Sequence, residues 1–493
     1  ASGFSTRSGP SVAAASDAKF GSKAGAQLRG TSTGDQCAFA WCVGPEEPTS
    51  DEDSDGVVKP KRGEGRWGRG SPMTVHHNGA PRPYVDGAGL CSPSRWAPED
   101  RTVDPITMQL HEALVGLLRD HFGDLTFLAF RLACGQFPDG PFPEHLLREG
   151  RRRVIAIISR GGSGGAKHFE EVPDDQPFYL YLLAEVARIL GDPDWRILAH
   201  RADSYSTGVP VGFMARLPRT PAVFDRKRRW RSYDRDDFCL ELRDNYRSAL
   251  GAEEDIKKQF IEEAKLGMMV WVPKKEAREE YGDRLRVALM GALSKSDDTY
   301  RPLHDGTHGA AVNPNLRIRD QIKMPTSPDV DHAIAFLERA LGKTWGLKAD
   351  VSNAHRRFKH RRRDWGLLAC RMGDDLGYWL NKVGTFGIGC ASYWWTRLFS
   401  IVCRCASAVI MRSVVFQLLF ADDVNWMASG VDGIRDVVVS LFFMSLVGTP
   451  FSWKKMEGGF VYGWIGYQLD LETHSLGIRQ ERAAWLVHWI RNA

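Results

Sequence analysis

Two adjacent carboxylates, Asp422 and Asp423, stand between two apolar segments in the sequence LLFADDVNW at 418–426. The segments 414–420 and 424–427 each have the composition of a strand, which predicts a hairpin with its turn at Ala-Asp-Asp. Two like charges at a turn repel each other unless a cation lies between them, and hard divalent cations prefer carboxylate oxygens. A cation site at this turn is one interpretation. On these residues alone a solvated turn is favoured, because Asp is common in turns, so the case for a cation depends on the motifs upstream.

A third carboxylate, Asp350, follows the short apolar segment 345–349. A strand over this segment would carry Asp350 at its end, and neighbouring strands of a sheet can bring it to Asp422 despite their separation in sequence. The basic run 355–363 comes next and contains Arg356, Arg357 and Arg361. Such a run is typical of contact with a nucleic-acid backbone, although part of it must face water.

Two cations lie on a predicted hairpin further upstream. An apolar strand at 287–293 is followed by a turn at 294–299 and a returning strand at 300–305, which places Lys295 and Arg301 near each other. Such a pair can hold a triphosphate, because Arg binds phosphate oxygens with two parallel hydrogen bonds and Lys supplies a point charge. Exposed surface charge is the alternative interpretation.

A Gly-rich segment at 384–389, which contains Phe386 and Gly387, precedes a predicted helix at 390–411. Glycine allows the backbone to approach a nucleotide or template closely, and a helix N-terminus favours anions. A loop without any role in ligand binding is the alternative.

The composition permits a folded chain of two to four domains, with 493 residues of which 43% are apolar. Nine cysteines without a framework spacing favour reduced thiols and an intracellular setting, in the nucleus or the cytoplasm. No segment has the roughly 18 continuous apolar residues of a membrane span, so we expect no membrane partner. Because the chain starts at Ala1 and ends within a helical pattern, we expect a fragment of a longer protein.

The N-terminal half carries less information. Residues 1–100 are rich in Ser, Gly, Ala, Pro and charge, which predicts a disordered tail or linker. A mostly helical region of unknown role is expected at 101–250, with a strand at 153–159 (RVIAIIS). The Gly-rich segment 161–168 lacks the residues of a phosphate-binding loop and predicts a plain loop. The segment RKRRWR at 226–231 suits either phosphate contact or a solvated patch.

The order of these motifs over about residues 261–490 resembles the fingers and palm of reverse transcriptases, nearest to the retrotransposon types. The matching positions are Lys295, Arg301, Asp305, Asn313, Asp350, Ala354, Phe386-Gly387, Phe420-Ala421-Asp422-Asp423, Phe451-Ser452-Trp453-Lys454-Lys455 and Trp464-Ile465-Gly466-Tyr467. Two positions depart from the family pattern. His355 replaces an aromatic residue that excludes the ribose 2′-OH, and Phe420 replaces the commoner Tyr.

The resemblance implies an α+β fold, a right-hand polymerase in which a disordered tail and a mostly helical region precede fingers and palm. The fingers would occupy 251–345 and the palm, built on an antiparallel sheet, 346–475. Residues 476–493 would begin a truncated thumb.

The resemblance also implies roles for single residues. Asp350 and Asp422 would bridge two Mg²⁺ (or Mn²⁺) ions, with Asp423 and the backbone carbonyl of Val351 as further ligands, and Lys455 would protonate the leaving pyrophosphate. A dNTP would contact Lys295, Arg301, His355, Phe386 and Gly387. An RNA or DNA template–primer would contact Arg356, Arg357, Arg361 and Tyr467. The oligomeric state stays undetermined.

Three alternatives remain beside this interpretation. An RNA-dependent RNA polymerase shares the palm and its Asp pair, but usually has Gly before that pair, where this chain has Ala421. A catalytically inactive nucleic-acid-binding relic would keep the motif order and lack activity. A structural scaffold without a nucleic-acid partner is the third, and the cationic clusters argue against it.

Overall fold

The computed structural model of the protein describes residues 105–159, 166–218, 220, 225–226, 244–295, 299–321, 324–341, 343–373, 376–410 and 415–492. The predicted tail at 1–100, the Gly-rich segment at 161–165 and most of the basic segment, 227–231, lie outside these described residues. The described residues form helices and several sheets whose strands pair mainly antiparallel. This mixture of helices and antiparallel sheets confirms the predicted α+β class.

The helices are α1 (Pro105–Phe122), α2 (Leu125–Ala133), α3 (Glu144–Ile158), α4 (Ala166–Phe169), α5 (Leu180–Ile189), α6 (Arg196–Ala199), α7 (Arg247–Leu250), α8 (Glu253–Lys265), α9 (Lys274–Tyr281), α10 (Ser327–Leu341), α11 (Gly389–Val409), α12 (Gly430–Leu446) and α13 (Gln480–Asn492). The strands are β1 (Asp225–Arg226), β2 (Met269–Pro273), β3 (Val287–Ser294), β4 (Tyr300–Asp305), β5 (Asp320–Gln321), β6 (Thr344–Asp350), β7 (Ala369–Cys370), β8 (Gly377–Asn381), β9 (Val415–Phe420), β10 (Asp423–Ser429), β11 (Glu457–Gly459), β12 (Val461–Trp464), β13 (Tyr467–Asp470) and β14 (Ser475–Ile478).

A four-stranded antiparallel sheet in the order β11-β6-β10-β9 forms the centre of the C-terminal half. Successive side chains of a strand alternate between the two faces of a sheet. In β6, Trp345, Leu347 and Ala349 therefore share one face, and they are buried in the main apolar core. Lys348 and Asp350 lie on the opposite face, which is the face that carries the candidate site.

Each face of this sheet is covered by a different layer. On one face, the long helices α11 and α12 contribute buried side chains to the main core. On the other face, α10 and the sheet β12-β13-β14 form a second apolar core around Phe416, Leu418 and Met427. Tyr462 of β12 lies over Gly346, and a Cβ at Gly346 would come within 2.2 Å of the Tyr462 hydroxyl oxygen. The Tyr462 hydroxyl also donates a 2.7 Å hydrogen bond to Asn425 Oδ1.

Helices are present in the described parts of the region 101–250, and several of them belong to the main core. Buried residues of α1, α2, α3 and α5 pack in the same apolar cluster as those of α11 and α12. Gly150 of α3 lies so close to the ring of Phe442 that a Cβ would come within 2.9 Å of it. The N-terminal helices are therefore integral to the sheet-bearing part of the chain.

The strand predicted at 153–159 is wrong, because these residues continue α3. The β-branched run suggested a strand, but Val154, Ile155 and Ile158 lie on the buried side of a helix that packs in the main core. Glu149 also pairs with Arg152 and Arg153 at helical spacing. Tertiary packing thus outweighs the β-propensity of the segment.

A second sheet has the order β2-β8-β7-β3-β4 and is antiparallel except between β3 and β7. It joins strands from both sides of the predicted boundary at 345/346, since β7 and β8 return to pair with β3 and β2. The predicted boundary therefore does not follow the sheets. Among the described residues, no helix combines the length and the apolar character that crossing a bilayer requires.

Candidate metal centre

The three predicted carboxylates converge at one end of the four-stranded sheet. Asp350, the last residue of β6, is the register partner of Asp423, the first residue of β10. Asp422 belongs to the turn before β10, and its backbone carbonyl accepts a 3.0 Å hydrogen bond from the N–H of Val351. Each of the three side chains offers an oxygen within 4.8 Å of the others. The predicted cluster is therefore present in the structure.

The turn that carries Asp422 is tighter than predicted. Phe420 and Asp423 are already paired, so only Ala421 and Asp422 form the turn. Ala421 has φ +55°, a left-handed conformation that is uncommon for residues other than Gly, Asn and Asp. Its carbonyl accepts a 3.0 Å hydrogen bond from Trp395 Nε1, and its N–H donates to the sulfur of Met324 at 3.3 Å. The body of the protein thus holds the turn in place.

The site disfavours uncompensated negative charge. Burial, followed by the charges of Asp422 and Asp350, raises the pKa of Asp423 to about 6. Burial and the charge of Asp350 also raise the pKa of Asp422. Raised carboxylate pKa values mean that the anionic cluster gains from a nearby positive charge, which a bound divalent cation would supply.

Lys455 reaches this cluster from the segment that runs beside the end of β6. The segment is held by hydrogen bonds from the N–H of Ser452 to the carbonyl of Asp350 (2.7 Å) and from the N–H of Ser352 to the carbonyl of Pro450 (2.9 Å). The Lys455 ammonium donates to Asp350 Oδ2 at 2.6 Å. The prediction that Lys455 lies at the site is consistent with this contact.

Arg301, Phe386 and His355 form a second group beside the carboxylates. The Arg301 guanidinium lies 5.8 Å from the centre of the Phe386 ring, and that ring lies 5.9 Å from the His355 ring. Burial, followed by the charge of Arg301, lowers the pKa of His355. The pKa of Asp422 is raised overall, and the charge of Arg301 offsets part of that rise. Arg301 therefore lies within electrostatic reach of the cluster.

Gly387 fixes the start of α11 against β4. It has φ +105°, and a Cβ there would lie 1.9 Å from the carbonyl oxygen of His304. Asn313 connects the same parts, because its side chain donates to the Gly387 carbonyl (2.8 Å) and accepts from the N–H of Gly389 (2.7 Å). This positioning role of Asn313 was not predicted. The sequence did single out Asn313 as a motif position, which was the one indication that it has a role.

Lys295, Asp305 and Tyr467, three further positions of the sequence motifs, make contacts with other parts of the chain. Lys295 is exposed at the end of the β3–β4 hairpin, where its N–H donates to the carbonyl of Thr299 at 2.8 Å. Asp305 accepts a 2.6 Å hydrogen bond from the hydroxyl of Tyr246. Tyr467 is half-buried against the second core.

The predicted nucleic-acid-binding arginines make contacts within the chain. Arg356 pairs with Glu263 and donates to Asn381, and only 13% of its side chain is exposed. Arg361 pairs with Asp364 at 2.8 Å and Asp203 at 3.0 Å. Arg357 donates to the carbonyl of Ser352 at 2.8 Å. The charges of Arg356 and Arg361 are thus matched by carboxylates, of which Glu263 and Asp203 are distant in sequence.

No model of a protein family matches the chain, and no curated protein matches it. Among solved structures, it is similar to a foamy viral protease-reverse transcriptase in complex with double-stranded DNA, with 14% identity, TM-score 0.38, and coverage of 48% of this chain and 37% of that one. A complex of the foamy viral enzyme with an RNA/DNA hybrid has 11% identity and TM-score 0.39, with 67% of this chain and 36% of that one covered. The chain thus spans little more than a third of these structures. Because these TM-scores are low, the functional proposal rests on the site itself.

Proposed function

We propose that the chain catalyses template-directed nucleotidyl transfer, adding dNTPs to a primer 3′-OH on an RNA or DNA template as a reverse transcriptase does. The observation that carries the proposal is the convergence of Asp350, Asp422 and Asp423 within 4.8 Å at one end of the four-stranded sheet. A donor set of carboxylate oxygens suits Mg²⁺ or Mn²⁺.

The spacing of the cluster fits such ions. Oxygen ligands lie about 2.1 Å from Mg²⁺, so ligands on opposite sides of one ion are about 4.2 Å apart. The three oxygens lie within 4.8 Å of one another, so at most small side-chain movements would bring them to these distances. Asp350 and Asp422 would hold two ions with Asp423 in support. The Val351 carbonyl would add a ligand, because in an extended strand it lies on the same edge as the N–H that contacts Asp422.

Two such ions, when bound, lower the pKa of the primer hydroxyl and stabilise negative charge on the transferred phosphoryl group and the pyrophosphate. The protein would supply the remaining positive charge. Arg301 and Lys295 would hold the β- and γ-phosphates, and Lys455 would donate a proton to the leaving pyrophosphate.

The aromatic group beside the cluster would receive the nucleotide. Phe386 is 48% exposed, so its ring offers an apolar surface next to Arg301. His355 would contact the sugar, with its Nε2 3.3 Å from Ser392 Oγ. In this proposal the four-stranded sheet is the palm, the five-stranded sheet belongs to the fingers, α13 begins the thumb, and the chain derives from a retroelement.

The test is extension of a labelled primer on RNA and DNA templates with Mg²⁺, comparing dNTPs with NTPs. Asp422→Asn is expected to lower extension at least about a thousandfold, because one metal ligand loses its charge, while thermal stability and duplex binding are retained. Asp331→Asn, at an exposed position of α10, is the matched control and should extend normally.

The outcomes separate the alternatives. Extension with NTPs alone would favour an RNA polymerase. Duplex binding without extension by the unaltered chain would favour an inactive relic. Full activity of Asp422→Asn would overturn the metal role of the cluster.

A further inference from the structure

The ammonium group of Lys455 forms an ion pair with Asp350, one of the carboxylates of the proposed metal site. Lys455 Nζ lies 2.6 Å from Asp350 Oδ2. The two side chains differ in exposure, since that of Lys455 is 69% exposed and that of Asp350 is 16% exposed. The lysine therefore reaches the cluster from solvent, and it can leave without disturbing the packed protein.

The second lysine on this face does not have the same freedom. Lys348, two residues before Asp350 in β6, pairs with Glu457 of the neighbouring strand at 2.6 Å and is 17% exposed. Its charge also offsets part of the rise in the pKa of Asp423. Lys348 is thus a fixed counter-charge, whereas Lys455 is a mobile one.

A direct ion pair and a divalent cation cannot both use Asp350 fully. An ammonium group neutralises one charge through hydrogen bonds to a single carboxylate, whereas a divalent cation bridges several carboxylates and neutralises two charges. A divalent cation at the cluster therefore competes with Lys455 for the carboxylate of Asp350. The exposed stem of Lys455 permits its withdrawal at low cost.

We propose that Lys455 is a displaceable counter-ion of the carboxylate cluster, which competes with the divalent cation for Asp350 and is released when the cation binds. This inference rests on the proposed function, and it adds a sequence of events to it. Release of Lys455 links occupation of the metal site to the availability of a free ammonium group beside the leaving pyrophosphate. The proton donor would then be free only when the site is loaded.

The test measures cation binding to the full chain without nucleic acid or nucleotide. Free Mn²⁺ is followed by electron paramagnetic resonance, and Mg²⁺ binding by calorimetry. Lys455→Met removes the competing ammonium while keeping the length of the side chain. Lys454→Met is the matched control, because Lys454 is an exposed neighbour for which no ion pair is found among the described residues.

Lys455→Met is expected to tighten Mn²⁺ binding by about twofold to fivefold, the range expected for losing a partly exposed ion pair. Lys454→Met should change the affinity by less than about twofold, since it removes only a distant screened charge. In EDTA, Lys455→Met should melt at a lower temperature than the unaltered chain, and saturating Mg²⁺ should remove this difference. Equal Mn²⁺ affinities of the two variants would overturn the inference.

Failure of the proposed function would look different. If the unaltered chain binds Mn²⁺ no better than Asp422→Asn does, the cluster is not a metal site and the proposed function fails with it. If Asp422→Asn loses binding while Lys455→Met and Lys454→Met behave alike, the metal site stands and only the competition by Lys455 is rejected.

Discussion

At the scale of single residues, the carboxylates of the cluster are held in a costly arrangement. Asp422 and Asp423 are partly buried next to Asp350, and both have raised pKa values for that reason. A carboxylate that served only to end a strand would lie in solvent, where it costs little. A bound cation would offset the repulsion and desolvation of these carboxylates. This compensation is the physical basis of the proposed metal site.

The raised pKa of Asp423 predicts a pH dependence of stability. The folded chain holds this proton up to about pH 6, whereas the unfolded chain releases it near 3.8. Within this window the folded state binds more protons, so the contribution of Asp423 to stability falls as pH rises and is lost above the folded pKa. In EDTA, Asp423→Asn should therefore gain stability relative to the unaltered chain between about pH 4 and pH 7, by about 2 °C in Tm.

Thermal melts of both chains at several pH values check this prediction. Their difference is the relevant quantity, because acidic groups distant from Asp423 titrate equally in both chains. The gain should disappear in saturating Mg²⁺, when the carboxylate is paired. A difference in Tm that does not vary with pH would contradict the assigned pKa shift.

At the scale of elements, the start of α11 is held against β4 of the five-stranded sheet. The N–H of His304 in β4 donates to the carbonyl of Phe386 at 3.2 Å, and Asn313 bridges Gly387 and Gly389. These contacts place Phe386 next to the Arg301 side of the β3–β4 hairpin. The Gly-rich segment was predicted to let backbone approach a nucleotide, and the approach that the structure shows is to the backbone of β4.

Gly387→Ala is predicted to destabilise the chain by about 3 kcal/mol, because it combines a strained backbone conformation with a contact on a main-chain oxygen. The Cβ would need to lie 1.9 Å from the His304 carbonyl at φ +105°. The control is Gly477→Ala in β14, where a Cβ meets nothing within 4 Å. Urea unfolding of both variants is the measurement, and equal stabilities would show that α11 and β4 are not held together at this point.

At the scale of the whole molecule, buried ion pairs connect the N-terminal helical region to α11. Arg397 binds Asp194 with two hydrogen bonds, of 2.6 and 2.7 Å, and Arg404 binds Asp192 in the same bidentate manner. All four side chains are at most 5% exposed. These pairs act together with the shared apolar core to hold the N-terminal helical region against α11.

Removal of one partner of a buried pair is predicted to be costly, because the other charge stays buried without compensation. Asp194→Asn should lower the free energy of unfolding by about 3–5 kcal/mol. Glu262→Gln, which breaks the exposed pair with Lys265, should change it by less than about 0.5 kcal/mol. Chemical denaturation measures both, and the double variant Asp194→Leu, Arg397→Met should recover part of the loss. Similar costs at the two sites would contradict the structural role of the buried pair.

Local pattern was sufficient for much of the site. Strand ends and turns are set by near neighbours in the chain, so the apolar segment before Asp350 and the predicted turn at Ala421-Asp422-Asp423 indicated where the carboxylates would stand. A helix was likewise predicted at 390–411, where α11 lies. The order of motifs led to the proposed chemistry, because the carboxylates, Lys and Arg among them are residue types that phosphoryl transfer uses.

Only the tertiary structure decided which partners these elements meet. The β-branched run in α3 became a helix because its apolar side packs in the main core, and β7 and β8 joined the earlier sheet because strand pairing need not follow chain order. The acidic partners of Arg356 and Arg397 lie 93 and 203 residues away. Contacts over such distances depend on how the whole chain folds together, and no local pattern in the sequence records them.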